Sequence, residues 1–204
     1  ENNEIVGIEV DIMNLISEDL GMPVKYEQMD FDSVIPGVQT GKFDVGMSGI
    51  TVTEDRQKNC DFTDPYFLAS QAIVVTADSP ITCKADLEGK KISVQTGTTA
   101  EEYCMDNGYE VLSFTANNDA AAALTTGKVD AWVVDNEVAV ALAAQQGLTV
   151  LDEAMTSEPY AFAFAKGSDE LVSSFNASLK KLMDDGSIQE IFDKYGVLYV
   201  APEA

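Results

Sequence analysis

The 204-residue chain has no histidine. That absence removes the usual Ser-His and Cys-His nucleophile pairs and the commonest zinc sites. Cysteine is scarce. Cys60, Cys83 and Cys104 are the only three, and none forms a Cys-x-x-Cys pair. Thiol redox chemistry and a zinc-thiolate site are therefore disfavoured. Two readings of these cysteines remain: three buried thiols acting as small apolar residues, or one structural disulfide, Cys83 to Cys104, formed outside the cytoplasm. The reading leans to the disulfide.

Basic residues are also few, 12 against 35 acidic ones, for a formal charge of −23. Such a polyanion repels nucleic-acid phosphates and anionic lipid heads, so neither is expected as a partner. The acids are scattered rather than blocked, which describes a solvated surface. Asp30-Phe31-Asp32 lacks the glycine turn and distal Glu of a calcium loop, and no metal or cofactor is expected. No apolar run approaches the ~18 residues that a membrane span needs. The chain also lacks a charged-then-apolar start, so a signal peptide has been removed or never existed.

What is present is an alternation of helix and strand signals, which argues for an α/β fold. The length suits one large domain or two lobes of ~100 residues each. Val10 to Leu20 places apolar groups at helical spacing and is stopped by Gly21 and Pro23. Val24 to Gln28 reads as a short strand. Asp32 or Ser33 can cap a helix running to Thr40. Phe43 to Met47, Ile73 to Thr76, Ile92 to Gln95 and Ala131 to Val134 read as strands. Glu101 to Asp106 and the Ala-rich Asp119 to Thr125 read as helices. Asp169 to Tyr195 is helical with a break at Gly186, and its apolar stripe is packing rather than a cofactor site.

One short motif recurs. Thr40-Gly41-Lys42-Phe43-Asp44 is echoed by Thr126-Gly127-Lys128-Val129-Asp130. Each closes a helix and opens a strand, as two similar α/β lobes would do. In open α/β sheets ligands sit beyond the carboxyl ends of strands, so three strand ends matter.

After the first comes Ser48 to Arg56. Gly49 exposes backbone groups, Thr51 offers a hydroxyl, and Arg56 brings a planar fork that matches a carboxylate. The plain alternative is a surface arginine in a helix capped by Thr53. After the second comes Gln95-Thr96-Gly97-Thr98-Thr99-Ala100-Glu101. Thr98 with Glu101 fits a capping box, and a helix start offers N–H groups to a carboxylate. An ordinary cap without a ligand explains it equally well. After the third comes Asp135, suited to an ammonium group or, more plainly, to capping the next helix. Together the set complements a free α-amino acid.

At these positions the chain resembles a known family. The matching stretches include Gly7-Ile8-Glu9-Val10-Asp11, Ile35 through Asp44, Ser48 through Arg56, Asp61 through Tyr66, Asp86 through Lys90, Gln95 through Thr99, Val129-Asp130-Ala131 and Gly167 through Leu171. They resemble, in order, the family-3 solute-binding proteins, the polar amino-acid-binding proteins of bacterial ABC transporters. The resemblance implies a two-lobed periplasmic-binding-protein-like (type II) clamp, each lobe a mostly parallel sheet flanked by helices. Lobe 1 would be 1–67 plus 158–204, and lobe 2 would be 68–157. It implies a monomer outside the cytoplasm, periplasmic or extracellular and lipid-anchored in some precursors, delivering a free amino acid to an ABC transporter permease.

Carried over position by position, Arg56 and Thr51 bind the ligand carboxylate with help from Thr99, and closure brings the Thr98-Thr99 helix end to the ligand. Asp135 binds the ammonium with the Gly49 carbonyl and the Thr51 hydroxyl. Phe31 packs on the ligand side chain and Gln95 helps select it, which favours a polar uncharged ligand such as glutamine. The plain readings are a core aromatic and an exposed strand end. One departure stands out: Glu1-Asn2-Asn3-Glu4 falls where the family has already run a core strand and an aromatic loop. Either that strand is absent from the sequence, or the strand-like tail Val197 to Ala201 supplies it. Two rival functions are a dehydratase acting on a small carboxylic acid and the sensing ectodomain of a receptor.

Overall fold

The computed structural model describes residues 5–202. The chain opens with helices α1 (Ile8–Leu20), α2 (Phe31–Gln39) and α3 (Glu54–Asn59), then strands β1 (Cys60–Phe62) and β2 (Phe67–Ala69). Next come β3 (Gln71–Thr76), β4 (Lys91–Gln95), α4 (Thr99–Asp106), β5 (Glu110–Phe114), α5 (Asn117–Thr125), β6 (Ala131–Asp135), α6 (Asn136–Gln146) and β7 (Leu148–Val150). It closes with β8 (Glu158–Tyr160), β9 (Ala163–Ala165), α7 (Asp169–Asp184) and α8 (Ser187–Lys194).

Two compact units result. The first comprises Glu1–Met29, Ser33–Leu68 and Pro159–Ala204; the second comprises Asp30–Asp32 and Ala69–Glu158. The long segments change unit within β2 and β8, which pair with each other.

The second unit is built on one five-stranded sheet of order β5-β4-β6-β3-β7. β4 runs parallel to β5 and β6, because α4 and α5 provide the crossovers that parallel pairs need. β3 is entered directly from β2, with no helix before it, and lies antiparallel to β6 and β7. The sheet is thus parallel on one side and antiparallel on the other. Both faces are covered. Ala72, Val74, Trp132 and Val134 pack into one apolar cluster with α5 and α6. The alternate residues Ile73, Val75, Ala131 and Val133 pack into another with α4. A period of two places successive side chains on opposite faces, so a near-continuous apolar run serves both layers.

The first unit is organised around helices. α1 buries Val10, Ile12, Met13 and Ile16, and α7 buries Phe175, Leu179 and Leu182. Aromatic rings join α7 and α8 to the strands: Phe164 meets Phe175 edge-on at 5.0 Å, and Phe67 lies 4.5 Å from Phe192.

The recurring Thr-Gly-Lys motif forms the same turn twice. Gly41 and Gly127 have φ of 69° and 70°. Lys42 N–H donates to Gly37 O at 3.0 Å, and Lys128 N–H donates to Ala123 O at 2.9 Å. In both, a left-handed glycine ends the helix and satisfies its last carbonyls.

Four expectations change. Val24 to Gln28 is not a strand: among the described residues its main chain makes no backbone hydrogen bond to a neighbouring strand. Phe43 to Met47 contributes one isolated bridge, Gly46 to Ala163. A ladder needs a partner, and a groove of about 1130 Å³ lined by Met13, Ile16, Val24, Tyr26, Val45 and Met47 lies along these segments. Nor does the tail fill that groove. Leu68 N–H donates to Val200 O at 2.9 Å and the Tyr199 hydroxyl donates to Tyr66 O at 3.0 Å, so the tail runs beside β2.

The fourth change concerns the cysteines, all of which are free thiols. Cys83 caps a 3₁₀ turn at Lys84–Leu87, its Sγ donating to Asp86 at 3.6 Å. Cys104 faces inward from α4 among Ile92, Val94 and Ala131. The two therefore serve different local structures.

Candidate functional site

In the first unit the loop after Gly46 is held along β8. Ala161 N–H donates to Ile50 O at 3.1 Å, and Val52 N–H donates to Pro159 O at 2.8 Å. Thr51, 5 % exposed, forms an isolated antiparallel bridge with Tyr160. Gly49 has φ of 59°, and a Cβ there would sit 3.0 Å from the Tyr160 ring. Only glycine meets both demands without strain. Its N–H donates to Glu9 Oε2 at 3.0 Å, and the Tyr66 hydroxyl donates to Glu9 Oε1 at 2.7 Å. Burial holds the Glu9 carboxyl above its usual range, although Tyr66 and the Gly49 and Ser48 amides partly offset it.

Thr53 caps α3 by accepting from Arg56 N–H at 3.2 Å. The cap starts the helix so that Arg56 falls in its first turn. The side chain then folds back, and Nη1 donates to Thr51 O at 2.9 Å. Arg56 is thus a partly buried guanidinium fixed beside the Thr51 loop, not a solvated surface arginine. Gly49, Thr51 and Arg56 are brought together as the sequence pattern implied.

In the second unit Thr98 caps α4 by accepting from Glu101 N–H at 3.2 Å. The Glu101 carboxylate reaches back one residue further than a standard box, to Gly97 N–H at 2.7 Å. Thr99 then opens the helix, where main-chain N–H groups point outward. Gln95 is tied sideways: Nε2 donates to Thr115 O at 2.9 Å, and Oε1 accepts from Asn117 Nδ2 at 3.1 Å. Phe31, grouped with this unit, is the partly buried first residue of α2.

Asp135 ends β6 at the first position of the α6 cap, yet its side chain makes no capping bond. Its Oδ1 instead accepts from Gln71 Nε2. The pairing follows from register, since Gln71 lies directly opposite Asp135 in the antiparallel β3–β6 ladder. Gln71 is fully buried. Its amide also donates to Thr99 Oγ1 at 3.2 Å and to Glu158 Oε1 at 3.1 Å. Glu158, 6 % exposed, further accepts from the Thr99 hydroxyl at 2.6 Å and the Thr156 hydroxyl at 2.8 Å. Close by in sequence, Glu137 has its carboxyl raised, mainly by burial and in smaller part by the Glu158 charge.

Asp135 and Thr99 therefore meet through two residues that spacing alone did not single out, Gln71 and Glu158. A signal existed for each. Gln71 is a polar residue inside the apolar run Phe67 to Val75, and Glu158 heads the apolar stretch Pro159 to Ala165. Among the described residues no cluster of His, Cys, Asp or Glu is arranged to hold a metal. No helix among them is long and apolar enough to cross a membrane.

The family model for bacterial extracellular solute-binding proteins, family 3, matches residues 1–197. The L-arginine-binding protein of Pseudomonas aeruginosa is 30% identical over 95% of this chain and 80% of its own length. Among solved structures, an ancestral arginine-binding protein bound to glutamine superposes with a TM-score of 0.90 at 40% identity, covering 96% of this chain and 89% of that one. An ancestral amino-acid-binding protein described as a precursor of cyclohexadienyl dehydratase gives 0.89 at 35% identity, over 96% of this chain and 87% of that one. These neighbours share the mixed α/β, two-lobed type II clamp architecture, and the chain belongs to family 3 of the bacterial extracellular solute-binding proteins.

Proposed function

We propose that the protein binds one free L-amino acid outside the cytoplasm and delivers it, as a monomer, to the membrane permease of an ABC transporter. The observation that carries this reading is a pair of fixed, opposite charges. Arg56 is locked onto the Thr51 carbonyl in one unit, and Asp135 is turned away from its helix cap onto Gln71 in the other. A zwitterion complements that pair. Arg56 and Thr51 take the carboxylate, aided by the N–H groups at the start of α4. Asp135 takes the ammonium with the Gly49 carbonyl. Phe31 and Gln95 contact the side chain. The ligand favours a closed state by hinge motion, because only that state makes both sets of contacts. The permease reads that state.

The relatives' names put arginine and glutamine at the head of the ligand panel. Calorimetry with all twenty amino acids names the ligand. Arg56→Ala should then weaken it by about 3–5 kcal/mol, several hundredfold or more, since a carboxylate loses its partner. Unchanged affinity in Arg56→Ala removes the site assignment. A dehydratase is the second reading, favoured by the likeness to a dehydratase precursor. Turnover of a prephenate-like acid by the parent protein would establish it. Its absence, with an amino acid bound, leaves the transport reading.

A further inference from the structure

Thr99 has one hydroxyl proton, and the hydrogen bonds around it fix where that proton goes. A carboxylate oxygen accepts the proton of a hydroxyl beside it. Glu158 therefore draws the Thr99 proton to Oε2, at 2.6 Å. It draws the Thr156 proton to Oε1, at 2.8 Å. Thr156 is free to give that proton because its oxygen accepts from the Gln71 main-chain N–H at 2.9 Å. The Gln71 amide is oriented by the same group: its –NH₂ faces the oxygens of Thr99, Asp135 and Glu158. A flipped amide would set its carbonyl against two carboxylates. Two N–H protons thus face three acceptors, while Gln71 Oε1 is buried with no hydrogen-bond partner.

A hydroxyl whose proton is committed to Glu158 has only lone pairs to offer elsewhere. Such a Thr99 side chain cannot donate to a ligand carboxylate; it can accept from an ammonium. The contribution of Thr99 to a carboxylate is left to its main-chain N–H at the start of α4.

From this, and resting on the amino-acid reading above, we propose that Glu158 is a positioning residue that sets the hydrogen-bond direction of Thr99 and Gln71. It thereby makes the Thr99 hydroxyl part of the ammonium subsite rather than the carboxylate subsite.

The test separates the two ends of the ligand. Affinities of L-arginine and L-glutamine are measured beside those of their des-amino analogues, 5-guanidinopentanoate and 4-carbamoylbutanoate. Each analogue keeps the carboxylate and side chain and lacks the amine. Glu158→Gln places an amide, with donors of its own, where Thr99 now donates. It should weaken the bound amino acid by about tenfold or more and leave its analogue within about twofold. Thr99→Val keeps the main-chain N–H and should show the same amine-selective loss; it decides the matter if Glu158→Gln does not unfold cooperatively. Equal losses for amino acid and analogue, or no loss for either, overturn the proposal and leave the transport reading standing. Arg56→Ala checks that reading separately, because it should weaken both ligands of a pair. If the parent binds another of the twenty amino acids instead, the pair is made from that one and its des-amino analogue; if it binds none of the twenty, or Arg56→Ala changes neither ligand, the reading and the proposal fall together.

Discussion

Glu9 is the clearest single residue in the first unit. Its carboxylate is buried under the Gly49 loop and bonded to Gly49 N–H and the Tyr66 hydroxyl. Burial raises its folded-state pKa above 4.5. The folded protein therefore holds a proton on Glu9 that the unfolded chain has released, over the interval from 4.5 upward to the raised value. Stability contributed by that proton is present at the acidic end and lost as pH rises through the folded pKa. Glu9→Gln does not titrate, so the stability of this variant relative to the parent should improve between pH 4.5 and pH 8. Urea unfolding of both proteins at the two pH values measures it, and a difference independent of pH would contradict the buried titration.

The cysteines give a second prediction. Cys104 is buried and its thiol is pushed up to about 12, and Cys60 is buried with its thiol also raised by burial. Thiolate is the reactive form. In the native protein only the partly exposed Cys83 should react promptly with a disulfide reagent. All three should react in denaturant without prior reduction. Fewer than three after unfolding would indicate a disulfide.

At this scale the places of Asp135 and Arg56 were legible, because one ends β6 and the other falls in the first turn of α3; Gly49 and Thr51 were read as following a strand that is only an isolated bridge at Gly46. Gln71 and Glu158 were not legible. They lie 87 positions apart, and their bond depends on the β3–β6 register and on the return of the chain through β8. No local periodicity encodes such a pairing.

At the scale of elements, the helices were the most readable part. α1, α5, α7 and the break at Gly186 follow from apolar spacing and glycine stops. Both Thr-Gly-Lys turns were legible because the motif states its own geometry. Strand signals misled where a strand's existence depends on a neighbour. Val24 to Gln28 has the composition of a strand, yet composition does not supply a partner for its amides. Hydrogen exchange tests this directly. Amides of residues 23–29 lack backbone hydrogen bonds to any described strand, so they should exchange with little protection. β3, paired on both edges and almost wholly buried, should be among the slowest segments. Slow exchange at 23–29 would mean that another strand pairs with it in solution.

The whole molecule carries a formal charge of −23. Among the described residues, ion pairs such as Lys180 with Asp184 and Lys194 with Asp11 lie at the surface. Exposed pairs of this kind contribute ~0–1 kcal/mol each, too little to offset so large an excess of one sign. Folding gathers those acids into a smaller volume, so mutual repulsion opposes the compact state. Salt shortens the range of that repulsion, to about 10 Å at 0.1 M from about 30 Å at 0.01 M. Many acids on a chain this size are separated by distances inside that interval, and these are the pairs that screening relieves. The same salt weakens the few exposed ion pairs, but they are outnumbered. The net effect should be stabilising: the unfolding midpoint at pH 7 should rise by a few degrees between about 0.01 and 0.2 M sodium chloride, where about 1 kcal/mol moves a domain of this size by ~2–4 °C. Sodium chloride is the right salt, since sulfate would also strengthen apolar burial and confuse the two effects. A midpoint that falls with salt would mean that the ion pairs outweigh the repulsion, and the scattered acids would then have to be placed farther apart, or nearer to cations, than their number implies.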